Sequence, residues 1–215
     1  MSRQFRNSNW LKTNGFAPQV YLFRNIESGQ VIYSQLPHVS DYQIKQQFFR
    51  PNWENRKPNK RRDLWRPMAV ATFETHSKAV QAYHGLVELR YMREVSKRKE
   101  AESLRKRNEY HQIWYSSQYR PTWSQESVSD LSTIIDELKL ECKVHWDTLW
   151  RKGDDKYWNE ELSQHFEMDQ VSPREKFVIL DELRKNCLND LAQLHSQSQS
   201  QSSETSKVEA KPIEN

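Results

Sequence analysis

The chain has 215 residues, 33 Lys and Arg against 29 Asp and Glu, only four glycines, and 35% hydrophobic residues, enough for one sizeable core with appendages but lean for a globular domain. No apolar run is long enough to span a bilayer, and no charged start, apolar centre and small-residue cleavage site marks a signal peptide, so a soluble protein with no membrane insertion is expected. The net charge of +4 hides a split: residues 1–120 hold 22 basic and 10 acidic side chains, residues 121–215 hold 11 and 19. A basic half joined to an acidic half points to a polyanionic partner for the first, against the plainer reading of a solvated surface.

Residues 1–18 form a basic N-terminal arm. Arg3, Arg6, Lys12 and Arg24 precede the first acid, Glu27, a pattern compatible with a mitochondrial address and equally with an arm reaching for phosphates. From 19 to 121 the pattern predicts a basic α+β nucleic-acid-binding domain. The runs QVYLFRNI and VIYSQL, separated by ESGQ with Gly29 at the turn, predict a β-hairpin. Ser40 can cap a short helix through Phe49, which Pro51 ends. Irregular chain follows until MAVATF, 68–73, supplies a third strand and completes a small antiparallel sheet. Thr75 can then cap a long helix, His76 to about Asn108, roughly 50 Å at 1.5 Å per residue. Its first half carries Ala79, Val80, Tyr83, Leu86 and Val87 at helical spacing for the core; its second half, from Ser96, is basic nearly all round and is expected to project. Pairs such as Glu94 with Arg98 and Glu102 with Lys106 would hold a free spike; a bound partner would hold it as well.

Residues 122–195 predict an acidic helical region. Thr122 and Gln125 form a candidate capping box, and Val128, Leu131, Ile135, Leu138 and Cys142 a helical stripe. VHWDTLWRKGDDKYWNEEL, lacking clear periodicity, reads as a packed, extended connector. Ser172, Pro173 and Glu175 open a last helix lined by Leu180, Leu183, Cys187, Leu191 and Leu194. Residues 196–215 lack the apolar mass to offset their ordering entropy, so a disordered tail is expected.

Catalysis finds little support. Four scattered glycines exclude both glycine-rich nucleotide-binding fingerprints, and Cys142 and Cys187, with no zinc-ligand spacing, suggest a reducing compartment without disulfide or metal. The run DELK, 136–139, resembles the acidic motif of some nucleases, yet it falls on an amphipathic helix. Neither an enzymatic activity nor a cofactor is expected.

Binding is better supplied. In FFRPNWENRKPNKRRDLWRPM, Arg50, Arg56, Lys57, Lys60, Arg61, Arg62 and Arg66 can neutralise phosphates, Trp53 and Trp65 can stack on bases, and Pro51, Pro58 and Pro67 reduce the entropy lost on binding. At least two of Phe48, Phe49, Trp53 and Trp65 are expected to staple the loop to the core instead. Arg90, Arg93, Lys97, Arg98, Lys99, Arg105, Lys106 and Arg107 on the long helix extend the basic surface, and Tyr119 with Arg120 repeats the combination, with core packing the alternative for the aromatic residues there. With no duplex-reading or RNA-recognition motif present, and no apolar face opposite the helix cations for a membrane, backbone and shape recognition of structured RNA or of non-specific DNA remains.

The segments PQVYLFRNIESGQVIYSQLP, FFRPNWENRKPNKRRDLWRPM, LRYMREVSKRKEAESLRKRNEYHQIWYSSQYRPTWSQESVSDL and WRKGDDKYWN together resemble the fungal mitochondrial homologous recombination protein, a family whose members are also proteins of the mitochondrial large ribosomal subunit. The likeness runs from about Pro18 to Glu137 and resumes from Trp146 to Trp158. It implies a matrix protein embedded in large-subunit rRNA beside neighbouring ribosomal proteins, with roles in ATP-independent pairing of mitochondrial DNA, its inheritance and transcriptional regulation, and, by family analogy, a nuclear location as well. The family supplies no catalytic residues. The shared positions, Arg50, Trp53, Arg56, Lys57, Arg61, Arg62 and Trp65, with Arg90, Arg93, Lys97, Arg98, Lys99, Arg105 and Lys106, are assigned to nucleic acid by their charge.

Overall fold

The computed structural model describes residues 5–48, 57–105, 107–111, 121–169 and 175–208. The α+β class holds, built on a five-stranded mixed sheet of order β2-β1-β3-β4-β5. Strands β1 (Gln19–Asn25) and β2 (Val31–Ser34) form the expected hairpin, with Gly29 at φ 72° in its turn. Strand β3 (Trp65–Phe73) pairs antiparallel with β1 and starts three residues before the run that marked it. Its early start holds a β-bulge: Leu22 faces Ala69 while Phe23 faces Pro67, leaving Met68 as the extra residue. Proline in a central strand is tolerated at such a break in the ladder.

The first 18 residues are more than an arm. Helix α1 (Ser8–Thr13) is capped by Asn7 and buries Leu11, and Phe5 packs edge-on against Tyr83. Helix α2 (Asp41–Gln47) has the predicted Ser40 cap, closed as a full capping box by Gln43. Helix α3 (His76–Tyr91), capped by Thr75, lies on one sheet face beside α5 (Pro121–Leu138). Val20, Leu22, Ala71, Leu86, Leu131, Ile135 and Trp146 share this larger core. Tyr21, Phe23, Ile32, Val70 and Trp65 point to the other face, where Ile44, Phe48 and Leu180 meet them. Because both faces are covered, β1 is buried at every position.

Three expectations need correction. The single helix over His76 to Asn108 is interrupted: a π-helical turn (Met92–Ser96) follows α3, Lys97 leaves helical geometry, and a separate helix α4 (Arg98–Leu104) begins. Beyond Val95 no apolar stripe holds the axis straight, and Arg93 and Arg105 are drawn instead to acids on α5. The helix α5 ends at Leu138 and does not reach Cys142: Lys139 adopts φ 50°, and Leu140 N donates to Ile135 O as Lys139 N donates to Asp136 O, a Schellman stop with lysine where glycine is usual. The connector after it is β4 (Cys142–Trp146), antiparallel to β3, and β5 (Ser163–Glu167), parallel to β4, with 3₁₀ turns between. The change in charge near residue 120 is therefore crossed by one sheet.

Helix α6 spans Lys176–Val208, so helix continues past Ser196, where a disordered tail is expected, as far as Val208. No glycine or proline interrupts it there. Its proposed capping residues Ser172 and Pro173, and the side chain of Thr122, lie outside the described residues. No helix is long and apolar enough to cross a membrane among them.

Candidate nucleic-acid interface

One end of the sheet collects the basic segments, and the strand register fixes which. At that end Arg24 pairs with Val31 on one side and with Arg66 on the other. Val31 O in turn accepts a 2.6 Å hydrogen bond from Arg90 Nη1, so the last turn of α3 reaches the same end. The loop entering β3 is tied down there. Ile26 N donates to Leu64 O at 2.9 Å, the Trp65 indole donates to Asn59 O at 3.1 Å, and Lys60 lies 3.4 Å from Asp41 at the start of α2. Arg61 pairs with Asp63 at 2.6 Å on the open surface, a contact that leaves its other donors in water. His38 has its protonation disfavoured by partial burial and then by the nearby charges of Arg6 and Arg62, a mark of positive potential at this corner.

The predicted residues divide into three groups. Lys57, Lys60, Arg61, Arg62, Arg66, Lys97, Lys99 and Arg107 are exposed, and Arg98 is half-buried in an i,i+4 pair with Glu102 at 2.6 Å. Arg107 Nη1 donates to His111 O at 2.7 Å. Arg50, Trp53, Arg56, Lys106, Tyr119 and Arg120 lie outside the described residues.

Trp65, Arg90, Arg93 and Arg105 are committed to internal contacts, contrary to their expected role on a ligand. Trp65 is 2% exposed and, with buried Phe48, staples the loop as two of the four aromatics there are expected to do. Arg90 lies buried over the Phe48 ring, 4.3 Å from its centroid, with Glu94 at 3.0 Å. Arg93 makes a fork with both oxygens of Asp130, at 2.6 and 2.8 Å, while its Nε sits 3.1 Å from Glu126 without hydrogen-bond alignment. Burial lowers the Arg93 proton affinity, but the bonds and charge of Asp130 outweigh it and leave a net upward shift. Arg105 Nε completes the group 2.7 Å from Glu126, and the Tyr33 hydroxyl donates to Asp130 at 2.8 Å. Part of the acidic half thus neutralises part of the basic half within the fold.

Asp136 and Glu137 sit on the last turns of α5, and among the described residues no three His, Cys, Asp or Glu side chains converge as a metal site. Cys142 is buried in the sheet, and burial pushes its thiol up to about 12, far from a reactive thiolate.

The sequence of residues 17–100 matches the family described as transcriptional regulation of mitochondrial recombination. Large ribosomal subunit protein mL67 of Debaryomyces hansenii is 52% identical over 184 residues, which cover 85% of this chain and 79% of that protein. The mL67 protein of Candida albicans is 46% identical over 184 residues, 85% and 77% of the two chains, and that of Kluyveromyces lactis 50% over 185 residues, 82% and 84%. This chain belongs to the mL67 family. The resemblance drawn from the four quoted segments is borne out, and with it the fungal, mitochondrial setting of the family. The 17–100 match runs from before β1 into α4 and so contains the mL67-family hairpin, the β3 entry loop and the cations Lys97 to Lys99.

Sequence reasoning overlooked Trp150 and Tyr157, which it placed in a packed connector. Both stand exposed on the 3₁₀ turns between β4 and β5. The readable signal was Gly153-Asp154-Asp155 between them, residues typical of a surface loop, with Gly153 at φ 79°.

Proposed function

We propose that this chain is a non-catalytic component of the mitochondrial large ribosomal subunit that binds rRNA through the basic end of its sheet. The observation that carries the reading is the meeting, at that end, of the exposed cations of the Lys57–Arg66 segment with the last turn of α3, whose continuation bears Lys97 and, on α4, Lys99. These cations come from separate stretches of chain and are held on anchored backbone, so binding phosphate costs less ordering entropy than it would for a flexible tail. Neighbouring ribosomal proteins meet the acidic half, whose surface carboxylates repel the same phosphates. The mL67 name of relatives at about half identity supports the assembly, and the absence of an RNA-reading motif supports recognition by backbone and shape.

A second reading has the same surface hold mitochondrial DNA during recombination, inheritance or transcriptional control. The family description, which speaks of mitochondrial recombination, favours it. Both uses draw on the same cations and compete for them.

Ultraviolet cross-linking of purified large subunits, with nucleotide adducts mapped by mass spectrometry, tests the first reading. Adducts are expected on peptides spanning residues 48–66 and 97–107. Adducts confined to the outer face of α6, with none on those peptides, would contradict it.

A further inference from the structure

We propose that Trp150 and Tyr157, on the loop of residues 149–159, form a stacking platform for unpaired RNA bases, with Tyr157 at the mouth of the groove between that loop and α5. The proposal rests on the RNA-binding reading and gives it a second, chemically distinct contact.

The two rings are 73% and 64% exposed, whereas Trp158, one residue after Tyr157, is buried against Trp146 and His165. The same short loop therefore has one aromatic in the core and two held in water. Its backbone is fixed rather than loose. The Trp158 indole donates to Lys152 O at 2.9 Å, Ser132 Oγ donates to Tyr157 O, Asp154 caps the second turn through Lys156 N, and Gly153 takes φ 79°. Apolar surface kept in water on a rigid support is the usual form of a preorganised contact.

A cation stands over each ring. The Arg151 guanidinium lies 4.7 Å from the Trp150 centroid and the Lys156 ammonium 4.8 Å from that of Tyr157. A base stacking on a free face of either ring would bring its phosphate within reach of these side chains. Tyr157 borders an open groove of about 890 Å³, a volume that accommodates a nucleotide, whose α5 wall offers Gln125, Ser129 and Thr133 to sugar hydroxyls.

Topology joins this platform to the basic end. Strand β4 runs opposite to β3 and finishes with Trp146 facing Ala69, and Asp147 N donates to Met68 O at 2.9 Å. The residues that follow Asp147 directly, with Arg151 still paired to it, therefore emerge where Arg66 does. The connection then runs back along α5, through Tyr157, to the start of β5, which is parallel to β4. The charges of the loop pair off, Arg151 with Asp147, Lys152 with Asp155 and Lys156 with Asp154, so its rings rather than its net charge must supply the affinity. Trp, Tyr and Arg also anchor protein interfaces. Continuity with the basic end favours RNA.

The test uses the full chain and two fluorescent probes, an oligouridine of about 12 nucleotides and an RNA duplex of about 16 base pairs. W150A and Y157A are each expected to weaken oligouridine binding about 5- to 150-fold, with duplex affinity within about twofold and the salt slope unchanged. W150F restores most of the lost affinity. R61E/R62E weakens both probes and flattens the slope. Undiminished oligouridine binding by W150A and Y157A, or an equal loss on the duplex, overturns the platform while the RNA reading stands. Undiminished RNA binding by W150A together with its release from large subunits also overturns it and assigns the rings to a protein contact. If the unsubstituted chain binds neither probe, the RNA reading falls and takes the platform with it.

Discussion

Replacing Asp130 by alanine separates structural from ligand-binding arginines. Asp130 is 6% exposed and accepts three hydrogen bonds, two from Arg93 and one from the Tyr33 hydroxyl. Removing one member of a buried ion pair costs about 3–5 kcal/mol. Arg93 keeps some solvent access and the nearby Glu126 carboxylate, which puts its share at or below the low end of that range. Tyr33 is fully buried, and a hydroxyl deprived of its acceptor there adds about 1–3 kcal/mol. A total of roughly 3–5 kcal/mol is a large part of the 5–15 kcal/mol that holds a domain together, and corresponds to a fall of about 10 °C in Tm. Thermal and urea melts of D130A read it directly. The double substitution R93M/D130L, which leaves no orphaned charge, recovers the Arg93 share of the loss but not that of the Tyr33 hydroxyl, which still lacks its acceptor. An unchanged D130A melt, together with R93A that weakens RNA binding and lowers the salt slope by about one, would make Arg93 a phosphate contact and refute the internal-network argument.

Charge reversal at Arg61 and Arg62 weakens RNA binding without moving Tm by more than about 2 °C; loss of the folding transition would mark these residues as structural. W65A destabilises the fold by about 3–5 kcal/mol, as truncation of a buried indole does, and an exposed stacking role would instead leave urea melts unchanged. His165 is held near 4, from an ordinary 6.5, by partial burial and then by Lys152, and its Nδ1 accepts the Trp146 indole proton at 3.0 Å. Its folded value lies below its unfolded one, so its contribution to stability is complete above about pH 6.5 and is lost as the pH falls towards 4. Urea melts at both ends of that window should fall less for H165N than for the unsubstituted chain; equal falls would remove His165 from the account.

Features encoded locally were legible in the sequence. Ser40 and Thr75 announce their helices because a cap acts within one turn, and the hairpin shows in alternation about Gly29. The end of α5 was not legible, because its left-handed residue is Lys139 and the apolar spacing carries on to Cys142 by coincidence. That error hid β4, although Cys142, Val144 and Trp146 alternate with polar neighbours as a half-buried strand should. Charge identified the basic surface, yet could not divide it. Arg93 and Arg61 look alike along the chain, and only the approach of Asp130 and Glu126 on a distant helix turns one inward. Trp150 and Trp158 likewise look alike along the chain, and only the contact of Trp158 with Trp146 on β4 distinguishes the buried ring from the exposed one.

The central claim is best tested by sedimenting mitochondrial lysate through gradients at rising salt. A protein making six to ten phosphate contacts on free duplex DNA loses about 10³- to 10⁵-fold in affinity between 50 and 200 mM salt. A protein embedded in rRNA by packing and many contacts is predicted to stay with the large subunit across that range. Its release into light fractions, or its recovery only with mitochondrial DNA at low salt, would contradict the ribosomal assignment.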